Sequence, residues 1–190
     1  GEELVTDRYP EIVQASVTLP EGTVIDGEIL PLKSGVVLPF HQLQRRIGRK
    51  TLSKKLLAEV PVVLMAYDLL EQKGDDIRAL SLTERRELLA ELIRQQARDG
   101  RILLSPVVEA PDWSTLADQR TQSRDKSVEG LMLKRKDSRY SVGRQRGDWW
   151  KWKIQPFTID AVLIGAQPGS GKRASLYTDY TFGLWSEGKL

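Results

Sequence analysis

The residues best suited to chemistry come in two opposed sets. Asp26 and Glu28 lie two apart in VIDGEIL (24–30), a stretch otherwise apolar enough for a core strand. Strand side chains alternate, so both carboxylates project from one face. DWWKWKI (148–154) does the converse with cations: Trp149, Lys151 and Lys153 share one face, and Trp150, Trp152 and Ile154 the other. The second set is expected to face the core. The first places two ammonium groups about 7 Å apart, where they repel each other unless an anion lies between them. A phosphate fits, with lysine as a point charge. An exposed strand whose lysines deter edge pairing explains the same pair.

Glu129 opens the apolar strand of VEGLMLKR (128–135), either as a solvated edge or as a third carboxylate beside Asp26 and Glu28. Carboxylates facing two lysines would suit a nucleotide with its Mg²⁺, an ion usually held by one or two carboxylates and by phosphate oxygens. In MAYDLL (65–70), Tyr67 is either a core aromatic or a flat platform for a purine base. Arg45, Arg46, Arg49 and Lys50 could contact a nucleic-acid backbone, and an exposed amphipathic helix surface explains them equally. GSGK (169–172) is not a phosphate loop: Gly165 stands too far from Gly171, Arg173 follows the lysine, and strands flank it.

The elements that must position these residues follow from local pattern. Residues 9–19 and HQLQRRI, with its Leu43, Arg46 and Ile47 spacing, predict helices, as does TLSKKLLAEV with Ser53 as cap. The continuous apolar run 60–70 predicts a strand covered on both faces. SLTE (81–84) is a capping box, followed by a helix with Leu88, Leu89, Leu92 and Ile93 on its core stripe. RILLSPVV is a short strand and WSTLADQRTQSRD a helix; EGLMLKR and DWWKWKI are strands. TIDAVLIGAQ and ASLYTDYTFGLW are two strands joined by the turn-rich PGSGKR. Irregular mixing of strands and helices indicates an α+β fold. The boundary falls at Gln155-Pro156, giving regions 1–155 and 156–190.

Composition narrows the chemistry. Without cysteine there is no disulfide or thiolate zinc site, and the single His41 argues against a histidine metal site or a Ser-His triad. VPVVLMAY (60–67) is too short to span a bilayer. Residues 120–173 carry 13 Lys/Arg against 5 Asp/Glu, and the remainder 16 against 21. A basic second half suggests a polyanionic partner, and a solvated basic face is the plainer account.

Taken in order, IDGEIL, MAYDLL, EGLMLKR and WWKWK resemble the motif set of the nucleotidyltransferase core of ATP-dependent DNA ligases. PFHQLQRRIGRK and SRYSVGRQRGDWWKWK are similar to the bacterial members, so the resemblance covers essentially the whole chain. It implies an ATP-grasp-like core of antiparallel and mixed sheets flanked by helices, followed by the first strands of an OB-fold. It also implies nick sealing through enzyme-AMP and DNA-adenylate intermediates, in replication, repair or recombination. The cofactors implied are ATP and Mg²⁺ or another divalent cation. The resemblance implies nicked double-stranded DNA as partner, with no membrane, and a cytoplasmic bacterial monomer. In that scheme Glu28 contacts the adenosine, Tyr67 stacks on adenine, Glu129 holds the metal, and Lys151 and Lys153 bind the α-phosphate. Asp26 supports this arrangement.

The family's nucleophile, a lysine in Lys-x-Asp-Gly upstream of the DGE strand, has no counterpart here; KGDD (73–76) does not fit and comes too late. Nor does the family's Arg-x-Asp-Lys element occur. The expectation is an incomplete catalytic core that does not adenylylate itself. RNA ligases and mRNA-capping guanylyltransferases share the core pattern, and a non-catalytic nucleic-acid-binding fragment is the rival from another class.

Overall fold

A computed structural model describes residues 3–49, 51–97, 99–143 and 145–190. The chain divides into two compact units, Gly1–Ile154 and Gln155–Leu190.

The first unit is built on one mixed sheet. Strands β1 (Val24–Lys33), β2 (Val36–Val37), β3 (Val62–Gln72) and β4 (Asp75–Asp76) pair antiparallel in the order β2-β1-β3-β4. Strand β5 (Ile102–Leu104) pairs parallel with β3. As the apolar run required, β3 is central: Val62, Val63, Ala66 and Leu69 are buried. Helices α1 (Pro10–Ser16) and α4 (Leu82–Gln96) pack on it, and Ala15, Ala66, Leu69, Leu89, Leu92 and Ile102 form one apolar cluster. A smaller cluster joins Tyr9, Val62 and Leu43 of α2 (Phe40–Ile47).

Helix ends follow their capping chemistry. Ser81 and Glu84 form the expected capping box on α4. Ser53 caps α3 (Lys54–Glu59) by accepting from the Leu56 amide at 3.2 Å. Asp112 caps α5 (Trp113–Thr121) in the same way through Thr115. Two helices are shorter than expected for one reason. In α1 the Ser16 hydroxyl donates to the Val13 carbonyl, and Thr18 just beyond donates to that of Ala15; in α5 the Thr121 hydroxyl donates to that of Asp118. These hydroxyls take up carbonyls at the helix ends, and the Ala15 carbonyl accepts from the Thr18 amide as well, at 3.4 Å.

Strands β6 (Gly130–Lys134) and β7 (Trp149–Lys153) form a separate antiparallel ribbon. The second unit is a hairpin of β8 (Val162–Pro168) and β9 (Tyr177–Gly183). GSGK lies in its connecting loop beside a single helical turn at Gly171–Arg173, as the rejection of a phosphate loop required.

Candidate nucleotide site

Two close approaches shape the β1–β3 wall. A Cβ on Gly27 would lie 2.8 Å from Leu64 Cδ1 and 2.9 Å from the Met65 carbonyl oxygen, so only glycine fits between Asp26 and Glu28. At the same place the register slips: Asp26 pairs with Asp68 but Gly27 with Ala66, which leaves Tyr67 as the extra residue of a bulge. Bulges re-aim side chains. Here the Tyr67 hydroxyl donates to Asp26 Oδ1 at 2.9 Å.

Asp26 accepts a second phenol. Tyr140, from the loop between β6 and β7, donates to Oδ2 at 2.7 Å. Burial first, and then the Asp26 charge and hydrogen bond, push the Tyr140 phenol up to about 12 and raise that of Tyr67 as well. Both therefore remain neutral donors at neutral pH. Glu28 is exposed and makes no ion pair among the described residues.

The ribbon supplies the cations. Pairing sets Lys134 opposite Trp149, Met132 opposite Lys151 and Gly130 opposite Lys153, so these side chains share a face. At one end the Lys134 ammonium lies 4.3 Å from the Tyr67 ring centroid and 3.9 Å from that of Trp149. Burial pulls its pKa below that of an ordinary lysine, against the pull of Asp68 and Asp26. At the other end Lys153 pairs with Glu129. The Lys153 hydrogen bond and charge, with Lys151 adding to them, hold the Glu129 carboxyl below the ordinary range. Four strand steps separate these ends, roughly 13 Å. Gly130, with φ +142°, makes the corner: a Cβ there would lie 2.7 Å from the Lys153 Cα.

The structure places Asp26, Glu28 and Tyr67 on one wall, and Glu129, Lys151 and Lys153 on a ribbon that meets that wall through Lys134 at its opposite end. Among the described residues no cluster of three or more His, Asp or Glu is placed to hold a metal by itself. Glu129 is one exposed, ionised carboxylate, which suits an ion that takes its remaining ligands from phosphate and water.

Two expectations need correction. Arg46 is not a nucleic-acid contact: it is fully buried, its guanidinium forked onto Glu11 at 2.6 and 2.9 Å and donating to the Val60 and Arg8 carbonyls. Its helix turns it inward on the same stripe as Leu43. Trp150 is not core: it is 48% exposed, on the ribbon face away from Tyr67. Its neighbour on that face, Trp152, is only partly covered, by the Arg120 guanidinium at 4.6 Å and the edge of Trp113 at 6.1 Å. Asp26, expected to support the arrangement, does so by accepting from the Tyr67 and Tyr140 phenols, and Glu28 stays exposed. Of the other cations, Arg45 pairs with Glu59 at 2.6 Å, Arg49 is exposed beside Leu4 and Arg8, and Lys50 lies outside the described residues.

Four residues escaped the sequence reading. Lys134 lies directly over the Tyr67 ring, and Tyr140 is linked to Tyr67 through Asp26, which accepts from both phenols. Arg85, fully buried, forks onto Asp68 at 2.7 and 2.9 Å and donates to the Leu80 and Ser138 carbonyls. Arg86 donates to the Tyr67 carbonyl at 3.2 Å and to that of Ser105 at 2.7 Å. Spacing could have revealed Arg85, which falls on the α4 stripe with Leu82, Leu89 and Leu92. Nothing local marks Tyr140.

Comparison with known proteins identifies the family. A family model described as "ATP dependent DNA ligase domain" matches residues 1–153. A probable DNA ligase of Koribacter versatilis is 32% identical over 95% of this chain and 35% of its own length. Mycobacterial DNA ligase D, solved in complex with ATP and MES, superposes with a TM-score of 0.61 at 29% identity, covering 94% of this chain and 52% of that one. A Lig E DNA ligase shares the fold, with a TM-score of 0.68 at 20% identity over 90% of this chain and 60% of the other. The chain spans about a third of the length of the curated relative from Koribacter. Its α+β core and ordered motifs, matched over residues 1–153, place this chain in the ATP-dependent DNA ligase family.

Proposed function

We propose that this chain supplies the nucleotide-binding part of an enzyme that uses ATP to seal nicks in double-stranded DNA. The observation that carries the reading is the contact of two walls through Lys134 and Tyr67: Glu28 and Tyr67 on β1 and β3, and Glu129, Lys151 and Lys153 on one face of the ribbon. Residues 1–155 act as adenylation domain, and 156–190 contribute the first strands of an OB-fold.

Tyr67 offers its ring to the purine, and Glu28, exposed beside it, accepts from the sugar or base. Lys151 and Lys153 bind the α-phosphate and neutralise the charge that develops on it during transfer; such reactions are governed by positioning and electrostatics. Glu129, which pairs with Lys153, would hold a divalent cation, and that ion would supply further neutralisation at the phosphates. The Lys-x-Asp-Gly nucleophile is not among residues 1–190, so the residues here hold and orient the nucleotide. The protein works as a cytoplasmic monomer, and no helix among the described residues is long and apolar enough to cross a membrane.

The test uses a full-length protein carrying this segment. Lys151→Ala or Glu129→Ala is expected to lower sealing of nicked duplex at least 100-fold, in line with the loss of one preorganised electrostatic group. Near-normal joining by either variant would remove the role assigned to it. Competition of ATP with GTP, and of nicked DNA with nicked RNA, separates this reading from capping enzymes and RNA ligases.

A further inference from the structure

Lys134 lies on the ribbon face with Lys151 and Lys153, but its ammonium meets aromatic rings in place of a carboxylate. Its ammonium stands between two aromatic rings, 4.3 Å from the centroid of Tyr67 and 3.9 Å from that of Trp149. The contacts close into a circuit. Tyr67 donates to Asp26, Asp26 accepts from Tyr140, and Tyr140 meets Trp149 edge-on at 5.5 Å. Trp149 is itself tethered, its indole N–H donating to the Ser138 hydroxyl at 3.2 Å. Tyr67 is therefore held at its hydroxyl by Asp26 and on one ring face by a cation.

From this circuit we infer that Lys134 is a positioning residue for base recognition: it closes one face of Tyr67, fixes the ring's tilt, and leaves the opposite face to the purine. The inference rests on the reading of Tyr67 as a base platform. A desolvated cation holds an aromatic face more firmly than a solvated one, and burial at this spot supplies that condition. The role differs from that of Lys151 and Lys153, which are exposed and available to phosphate. It makes a separable demand: Lys134 should matter to ligands with a base and not to ligands made of phosphate alone.

Calorimetric titration of the 190-residue chain with ATP and with inorganic triphosphate, both with Mg²⁺, tests it. Lys134→Met keeps the aliphatic stem and removes the charge. It is expected to weaken ATP binding 5- to 10-fold and to leave triphosphate binding unchanged, and Lys134→Arg should restore ATP affinity to within 2-fold. Unchanged or tighter ATP binding by Lys134→Met, or an equal loss for triphosphate, would overturn the proposal. Should that variant fail to fold, the unaltered protein still decides. The Lys134 ε-methylene protons, shifted upfield by the two rings, should keep that shift at saturating ATP; its loss would mean that the lysine merely fills the base's place. Tyr67→Ala distinguishes the two levels. If it binds ATP as the unaltered chain does, the platform reading fails; if it loses ATP while Lys134→Met does not, only the present inference fails.

Discussion

Replacing Arg85 with methionine should cost this fold more than any surface change. Arg85 and Asp68 are both fully buried, and the guanidinium is bound to both carboxylate oxygens. Without it Asp68 retains one donor, the Leu69 amide at 3.0 Å, and the Leu80 and Ser138 carbonyls each lose a charged partner. Removing one member of a buried pair typically costs about 3–5 kcal/mol, because the surviving charge is left uncompensated. Two orphaned carbonyls add to that, and partial water entry offsets them, so a loss of about 4 kcal/mol is expected. Domains of this kind are stable by about 5–15 kcal/mol in total. The assay is urea unfolding followed by far-UV circular dichroism, with the slope against urea held as a check on the unfolded state. The double variant Asp68→Leu, Arg85→Met strands no charge and should lose only about 1–2 kcal/mol, the cost of the unpaired carbonyls. A single-variant loss below about 1 kcal/mol would refute the reasoning. So would a double variant as unstable as the single one.

Two further outcomes follow from local chemistry. The Glu11 carboxyl lies below its ordinary range: burial pushes it up, but the Arg46 hydrogen bonds and charge outweigh that. A depressed folded-state value means that its stabilisation is present above the unfolded value near 4.5 and disappears as pH falls through the folded one. Glu11→Gln should therefore cost roughly 2 kcal/mol at neutral pH and flatten the stability profile below pH 4.5; an unchanged profile in urea titrations would contradict the Arg46 assignment. Ser81→Ala removes the cap of α4 and should cost about 1 kcal/mol by the same titration, with a change under roughly 0.3 kcal/mol counting against the capping box.

What could be read from the sequence was whatever repeats over short distances. The α4 capping box, the Ser53 cap, the central strand and the alternation of DWWKWKI all depend on neighbours within a few residues, and the elements formed where those signals stood. The errors came from long-range partners. Arg46 looks like a surface cation until Glu11, 35 residues earlier, folds onto it. Tyr140 reaches Asp26 across 114 residues, so no window could have connected them. Alternation gave the two faces of β7 but not which was covered: a two-stranded ribbon has too little behind it to bury Trp150. The bulge at Tyr67 is a property of the pairing and of no single strand.

The ribbon of β6 and β7 shares no ladder with the main sheet. Among the described residues, the polar contacts that fasten it to that sheet and to α4 gather at its Lys134 end and in the adjoining loop: Thr83 to Lys136, Arg85 to Ser138, Arg78 to Tyr140 and Tyr140 to Asp26. Such a ribbon behaves as an arm anchored to the sheet at its base, while its tip, where Glu129, Lys151 and Lys153 sit, is held to α5 by the Arg120 guanidinium, which donates to the Lys153 carbonyl at 2.6 Å. Admitting or releasing a ligand then requires tilting one hairpin and not peeling a sheet, so the amides of β6 and β7 should exchange with deuterium well before those of β3.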